Sequence, residues 1–194
     1  MPTINLNPET HEYTLDGKKL PGVTKILREA GLIDFSRVRP GVMAAAQQFG
    51  VAVHKACELF DKGILNIDIL SKPLIPYLDG WAKFKKDYGL YFIADEIEKP
   101  VYSLKWGFIG TPDRIGASNM FEVKSNTQMQ PATAIQTAAY DIAYEEMTGK
   151  KIKRRWGVQL NDKGTYKITE YKEKTDRSIF LSALQVYKWK EKNL

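Results

Sequence analysis

The sequence predicts one α/β domain with a central mixed β-sheet flanked by helices. Three observations lead there. Apolar residues recur at helical spacing in four segments, the period shifts to strand-like runs between residues 97 and 126, and a hairpin pattern separates the last two helices. Helices, meander, helix, hairpin and helix in that order make a single mixed layer architecture.

Taken in order, "HEYTLDGKKLPG" (11–22) reads as a short hairpin turning at Asp16-Gly17, a pair suited to positive φ angles. "GVTKILREAGL" reads as a short helix stopped at Gly31. In "RPGVMAAAQQFGVAVHKACELFDKG", Ala46, Phe49, Val53, Cys57 and Phe60 fall on one stripe, which predicts a helix ending before Gly63. A third helix is expected over 71–88, with Pro73 in its first turn and Leu74, Leu78, Trp81, Phe84 and Tyr88 inward. "IEKPVYSLKWGFIGTPDRIG" and "NMFEVKSN" read as three strands. Pro131 opens a helix that Gly149 closes, and "IKRRWGVQL" and "TYKITEYK" pair across "NDKG". Thr175 and Asp176 start the last helix, with Phe180, Leu184, Tyr187 and Trp189 facing the core. A hairpin and helical region over about 1–90 is expected to pack on a core over 91–194.

Composition narrows the function classes. The 194 residues hold 43% hydrophobic residues, enough for a substantial core. A single cysteine, Cys57, excludes an internal disulfide, and no Cys/His cluster has zinc or iron–sulfur spacing, as expected of a cytoplasmic protein. The first residues carry no signal-peptide pattern, and no apolar run is long enough to span a membrane. Net charge is +6, a basic excess compatible with nucleic acid and weak as an argument alone.

The chemistry concentrates in "GFIGTPDRIGASNMFEVKSN" (107–126). Three sites match acidic-x-Lys, namely Asp16/Lys18, Glu122/Lys124 and Glu170/Lys172, so the match alone decides nothing. Glu122 differs because Asp113 precedes it on a neighbouring strand, and strands lie about 4.8 Å apart, so both carboxylates can reach one ion. Side chains alternate along a strand, which puts Glu122 and Lys124 on one face and leaves the Val123 carbonyl as a third oxygen. Oxygen ligands suit Mg²⁺ or Mn²⁺, and a lysine beside them suits phosphodiester hydrolysis. The same residues would also serve as ion pairs, Asp113 with Arg114 and Glu122 with Lys124, and spacing leaves the two readings level. His54 lies at the edge of its helix's apolar face, with Glu58 at i+4. Gly50, one turn earlier, suggests a close approach by backbone or ligand, and Gln136 and Tyr140 share a helix face.

"GVAVH", "GTPDRIG", "FEVKS" and "QTAAY", in this order, resemble the PD-(D/E)xK nuclease superfamily in its RecB-like exonuclease branch. The "YTLDGKKLPGVTKIL" segment is similar to phage and prophage exonucleases related to mitochondrial genome maintenance exonuclease. The resemblance implies a restriction-endonuclease-like core and a Mg²⁺-dependent deoxyribonuclease, with Mn²⁺ able to substitute. It assigns Asp113, Glu122, His54 and the Val123 carbonyl as metal ligands, and Lys124 as the catalytic lysine. Glu98, in preference to Glu96, would be a supporting carboxylate, with Gln136 and Tyr140 beside the site and the DNA. It further implies exonuclease action in phage or prophage DNA processing or recombination. A single-strand-annealing or recombination partner is compatible with it. The sequence departs from one sub-branch in lacking the four cysteines of an iron–sulfur cluster, and with no helicase segment a stand-alone nuclease is expected. A catalytically silent nucleic-acid-binding module and a small-phosphoester hydrolase are the alternatives.

Substrate contacts are less defined. Lys150, Lys151, Lys153, Arg154 and Arg155 form a basic run that reads slightly better as a solvated edge than as a phosphate grip. Arg37 and Arg39 are a second candidate grip. Tyr77, Trp81 and Tyr88 could stack on bases, but their helical spacing favours the core.

Overall fold

The structure is a computed structural model that describes residues 3–7, 12–34, 36, 39–125 and 127–194. His11, Arg37 and Asn126 lie outside the described residues. Three strands open the chain, β1 (Ile4–Asn7), β2 (Glu12–Leu15) and β3 (Lys18–Leu20), paired antiparallel in that order. Asp16 and Gly17 both take positive φ, 48° and 79°, which fits a primed turn between β2 and β3. The β1 strand was not expected from the sequence, because "INLN" has one apolar face of two residues and no turn signal before it. Helices α1 (Val23–Glu29), α2 (Pro40–Asp61) and α3 (Ile75–Tyr88) follow, with a 3₁₀ turn at Lys72–Leu74 leading into α3.

The meander holds four strands rather than the three expected. β4 (Val101–Ser103) pairs with β5 (Phe108–Gly110) as a separate two-stranded sheet. Thr111, Pro112 and Asp113 then break the run, because proline offers no N–H to a ladder, and β6 (Arg114–Gly116) starts anew. The central sheet runs β6-β7-β8-β9, with β7 (Asn119–Lys124), β8 (Arg154–Leu160) and β9 (Tyr166–Tyr171). It is mixed: β7 and β8 are parallel and the two outer pairings antiparallel. Helix α4 (Ala132–Thr148) provides the crossover between β7 and β8, and α5 (Thr175–Asn193) closes the described chain.

Both faces of this sheet are covered, and β7 shows it residue by residue. Phe121 and Val123 join a core with Trp81 and Phe84 of α3, Val53 and Cys57 of α2, and Val158 and Leu160 of β8. Met120 points the other way into a core with Val23 and Ile26 of α1, Ile135 and Tyr140 of α4, and Phe180 and Leu184 of α5. Glu122 shares the Met120 face by the period of two, yet it is only 3% exposed. A carboxylate buried there needs a partner or a purpose.

Three inward assignments change. Trp189 is 60% exposed, because α5 runs past the body it packs on. Ala46 is exposed, since the first half of α2 makes little contact and only its second half is buried. Tyr88 is partly exposed and lies edge-on against Trp156. Trp81, by contrast, is fully buried and is unavailable to bases.

Candidate active site

Asp113 sits in the bend between β5 and β6, where the backbone has left one sheet and not yet joined the other. Its carboxylate is held from two sides. Oδ2 accepts from the Val123 N–H of β7 at 2.6 Å, and Oδ1 lies 3.1 Å from His54 Nδ1 of α2. Ile97 forms an isolated bridge with Arg114, which lays the Glu98 segment along β6, and the Glu98 N–H donates to the Asp113 carbonyl at 3.0 Å. Glu98 has φ +49, a left-handed backbone that a side chain seldom adopts. One ligand atom each from His54, Glu98 and Asp113 lie within 4.8 Å of one another. Glu96 is elsewhere, capping the Ile93 N–H at 3.1 Å.

Glu122 and Lys124 complete the group from β7. Lys124 Nζ donates to Glu122 Oε1 at 2.8 Å, while Glu122 Oε2 is buried without a hydrogen-bond partner. The expected pairing of Glu122 with Lys124 is therefore present. Arg114, expected as a partner of Asp113, instead donates through its Nε to Asp61 at 2.7 Å and reaches Glu98 Oε1 at 3.2 Å. Arg114 also donates to the Asp113 carbonyl oxygen.

Each charge is shaped by burial and then by neighbours. Burial and the Asp113 charge push Glu98 up to about 8. The same two causes push Glu122 up to about 7, against the pull of Lys124. Burial alone would raise Asp113, but His54, Lys124 and Arg114 outweigh it and the carboxyl is lowered. Burial would lower His54 and Lys124; Asp113 raises the first and Glu122 the second, and both end above their ordinary values. Three carboxylates converge on the His54 imidazole and the Lys124 amine, while Arg114, which reaches Glu98, is shared with Asp61. A divalent cation fits this crowding of carboxylates and the orphaned Glu122 oxygen.

A stability consequence follows. Glu98 and Glu122 are raised in the folded state, so what they contribute is present in acid and lost as pH rises from 4.5 towards about 7 to 8. His54, also raised, contributes fully below 6.5 and loses it above, in the same sense. Asp113 is lowered, so its contribution is fully present above its ordinary 3.8 and is lost only as pH falls below that, outside the window. In EDTA the protein is expected to resist urea better at pH 5.5 than at pH 8, by on the order of 2 kcal/mol. Added Mn²⁺ should narrow the gap; stability that rises from pH 5.5 to 8 in EDTA would contradict this charge balance.

The remaining expected residues are placed as follows. Gln136 Nε2 donates to Tyr140 OH at 2.8 Å on α4, and Tyr140 is 3% exposed. Its ring fills the space above Gly110, where a Cβ would come within 2.3 Å of it. Gly50 meets only Ser125 Oγ at 3.6 Å from a would-be Cβ, so the close approach expected there is an ordinary contact. Glu58 pairs with Lys55 and Lys62, away from the group. The basic run lies at the N-terminal end of β8, where Arg154 pairs with Asn119 of β7. Lys124 is at the other end of β7, about 17 Å away at ~3.3 Å per residue. Arg155 is buried on Asp176 at 2.7 Å.

Sequence reasoning missed three residues. Asp61, whose side chain is fully buried, accepts from Trp81 Nε1, Arg114 and Lys85. It follows His54 by seven positions, two helical turns, so it shares the His54 stripe, and that spacing was its signal. Tyr13 OH lies 3.0 Å from Thr111 Oγ1, two residues before Asp113, and tethers the N-terminal sheet to the bend. Tyr171 of β9 lies over Gly157, the β8 partner of Glu122.

No protein-family model and no curated protein matches this chain. Among solved structures it is similar to the crystal structure of a proposed exonuclease from Eubacterium rectale, with a TM-score of 0.55 and 11% identity. The match covers 75% of this chain and 68% of that one. At that identity the likeness concerns the fold alone, a mixed α/β architecture.

Proposed function

We propose that the protein is a divalent-cation-dependent deoxyribonuclease of the PD-(D/E)xK type, acting from DNA ends in phage or prophage DNA processing or recombination. The observation that carries this reading is the convergence of His54, Glu98 and Asp113 within one ion's reach. The Glu122–Lys124 pair stands beside them at the C-terminal end of β7. His54, Glu98 and Asp113 would hold Mg²⁺, with Glu122 Oε2 and the Val123 carbonyl as further oxygens. The nitrogen donor makes Mn²⁺ a ready substitute. The bound ion would supply charge for the phosphate and a water of lowered pKa.

The chain's own residues do the rest. Lys124 is kept protonated by Glu122 and donates a hydrogen bond where the attacking water and a phosphate oxygen meet. Val123 N–H and His54 fix the Asp113 carboxylate in one orientation. Arg114, neutralised by Asp61, does the same for Glu98. Gln136 donates to the buried Tyr140 phenol, and the pair would support the site from α4, the phenol staying protonated at working pH because burial raises it.

End-labelled linear DNA and a closed circle, each with Mg²⁺ or Mn²⁺, test this directly. Cation-dependent loss of the linear substrate, abolished by EDTA, with the circle spared, is expected. Equal loss of both sinks end-dependence. Binding without cleavage of any substrate would leave a silent DNA-binding module.

A further inference from the structure

Two buried polar atoms that lack a hydrogen-bond partner among the described residues belong to one face of the central sheet, Glu122 Oε2 of β7 and the Tyr171 hydroxyl of β9. The register explains how they approach across β8. Glu122 pairs with Gly157, and Tyr171 pairs with Arg155, two residues earlier on the same strand. By the period of two, all four positions share one face, and at that diagonal spacing an aromatic side chain still reaches. Tyr171 leans over Gly157, its oxygen 2.5 Å from the place a Cβ would take, with Met129 Cε at 2.8 Å. Gly157 does not take a positive φ, so its missing side chain answers to space and not to backbone shape. A glycine weakens a strand interior, and here it lets a ring cross β8 towards Glu122. The Thr133 hydroxyl is beside the phenol but outside hydrogen-bonding geometry. Burial raises Tyr171 to about 12; Thr133 and Lys124 oppose this and Glu122 adds to it, so the phenol keeps its proton and feels both charges of β7.

We infer that Tyr171 is a positioning residue of the candidate site: its hydroxyl supports the Glu122 carboxylate from β9 and keeps Oε2 aimed at the point where His54, Glu98 and Asp113 converge. This rests on the divalent-cation reading and deepens it, since it names what braces the glutamate. The other two carboxylates already have braces. Asp113 is held by the Val123 N–H and His54, and Glu98 by Arg114. Glu122 has Lys124 on Oε1 alone, and that amine is the one the proposed chemistry needs for the phosphate. A carboxylate held at one oxygen can swing about that contact. A protonated phenol approaching from the β8 side bounds the swing, because it can donate to the carboxylate and does not compete with it as an anionic ligand. The stability balance points the same way. A buried hydroxyl without a partner is a cost to the fold, and phenylalanine would pack the same ring without it.

The test reads Mn²⁺ binding by isothermal titration calorimetry on full-length, EDTA-stripped protein without DNA, with thermal melts alongside. Tyr171→Phe keeps the ring and removes only the hydroxyl. Mn²⁺ affinity should fall about tenfold, the usual loss when a ligand's supporting partner is removed. Its Tm should stay level or rise, because an unpartnered buried hydroxyl has gone. Gly157→Ala keeps the hydroxyl but drives it from its place, and should weaken Mn²⁺ by a similar factor. On end-labelled linear DNA both variants should lose about tenfold in kcat with KM unchanged. A tyrosine that only packs would give the reverse, a lower Tm with Mn²⁺ affinity kept. Mn²⁺ affinity in Tyr171→Phe within about twofold of the unaltered protein overturns the inference, whatever Gly157→Ala does. If the unaltered protein takes up no Mn²⁺, the cation reading has itself failed and the inference goes with it, a result visible before any variant is made.

Discussion

Asp113→Asn is expected to leave a folded protein whose cation-dependent DNA cleavage is reduced at least about 10³-fold, near the upper range for loss of one proton-transfer or charge-positioning group. Asparagine copies the shape. Its oxygen can accept from the Val123 N–H, and its amide can donate to His54 Nδ1, so both contacts of the bend survive. What goes is the negative charge, which both balances the imidazolium and would hold the ion. Lys124→Ala should reach a similar loss by a different route. It removes the amine and strands the Glu122 carboxyl, already without a partner on Oε2, at a cost of about 1–3 kcal/mol in stability. Initial rates on end-labelled linear DNA, with thermal melts in parallel, separate folding from chemistry. Wild-type rates in either folded variant would end the proposed assignment.

Asp61→Ala should have the largest effect on stability of any single change at the site, about 3–5 kcal/mol. The side chain is wholly buried and is the shared acceptor of Trp81 Nε1 at 3.0 Å and Arg114 Nε at 2.7 Å, with Lys85 as a third donor. Arg114 is 1% exposed, so deletion of its partner leaves a cation with no route to water. Against a total of roughly 5–15 kcal/mol, such a loss would leave the protein partly unfolded near body temperature. Urea titration reads the difference, and a loss below about 1 kcal/mol would mean that Glu98 and the Asp113 carbonyl suffice to hold Arg114. Asp61→Asn, which keeps one acceptor, should fall between.

The legible part of this molecule is the part written in local pattern. Helices α2, α4 and α5 and the β8–β9 hairpin carry clean periodicity between clear stops, and the expected boundaries fall within a few residues of those observed. The order of the motif residues is also local, which is why His54, Asp113, Glu122 and Lys124 could be named. What stayed hidden depends on distant packing. Asp61 ends a helix as a charged residue; its spacing from His54 puts it on the same stripe, but only the packing shows it buried beneath Arg114. Tyr13 looks like a strand aromatic until β2 is placed against Thr111, 98 residues on. The break at Thr111–Asp113 is marked by its proline, yet only the tertiary structure shows that two sheets part there.

Glu98 keeps φ at +49 within a short segment between the 3₁₀ turn at Ala94–Glu96 and β4. For a glutamate that backbone costs on the order of 1 kcal/mol, a strain that glycine would relieve at once. Glutamate stands there although the local backbone would be more comfortable without its side chain. Position 98 is therefore where selection for a sturdier protein and selection for a working one pull in opposite directions. A library screened for thermal survival alone would drift away from glutamate there, and one screened on DNA would hold it.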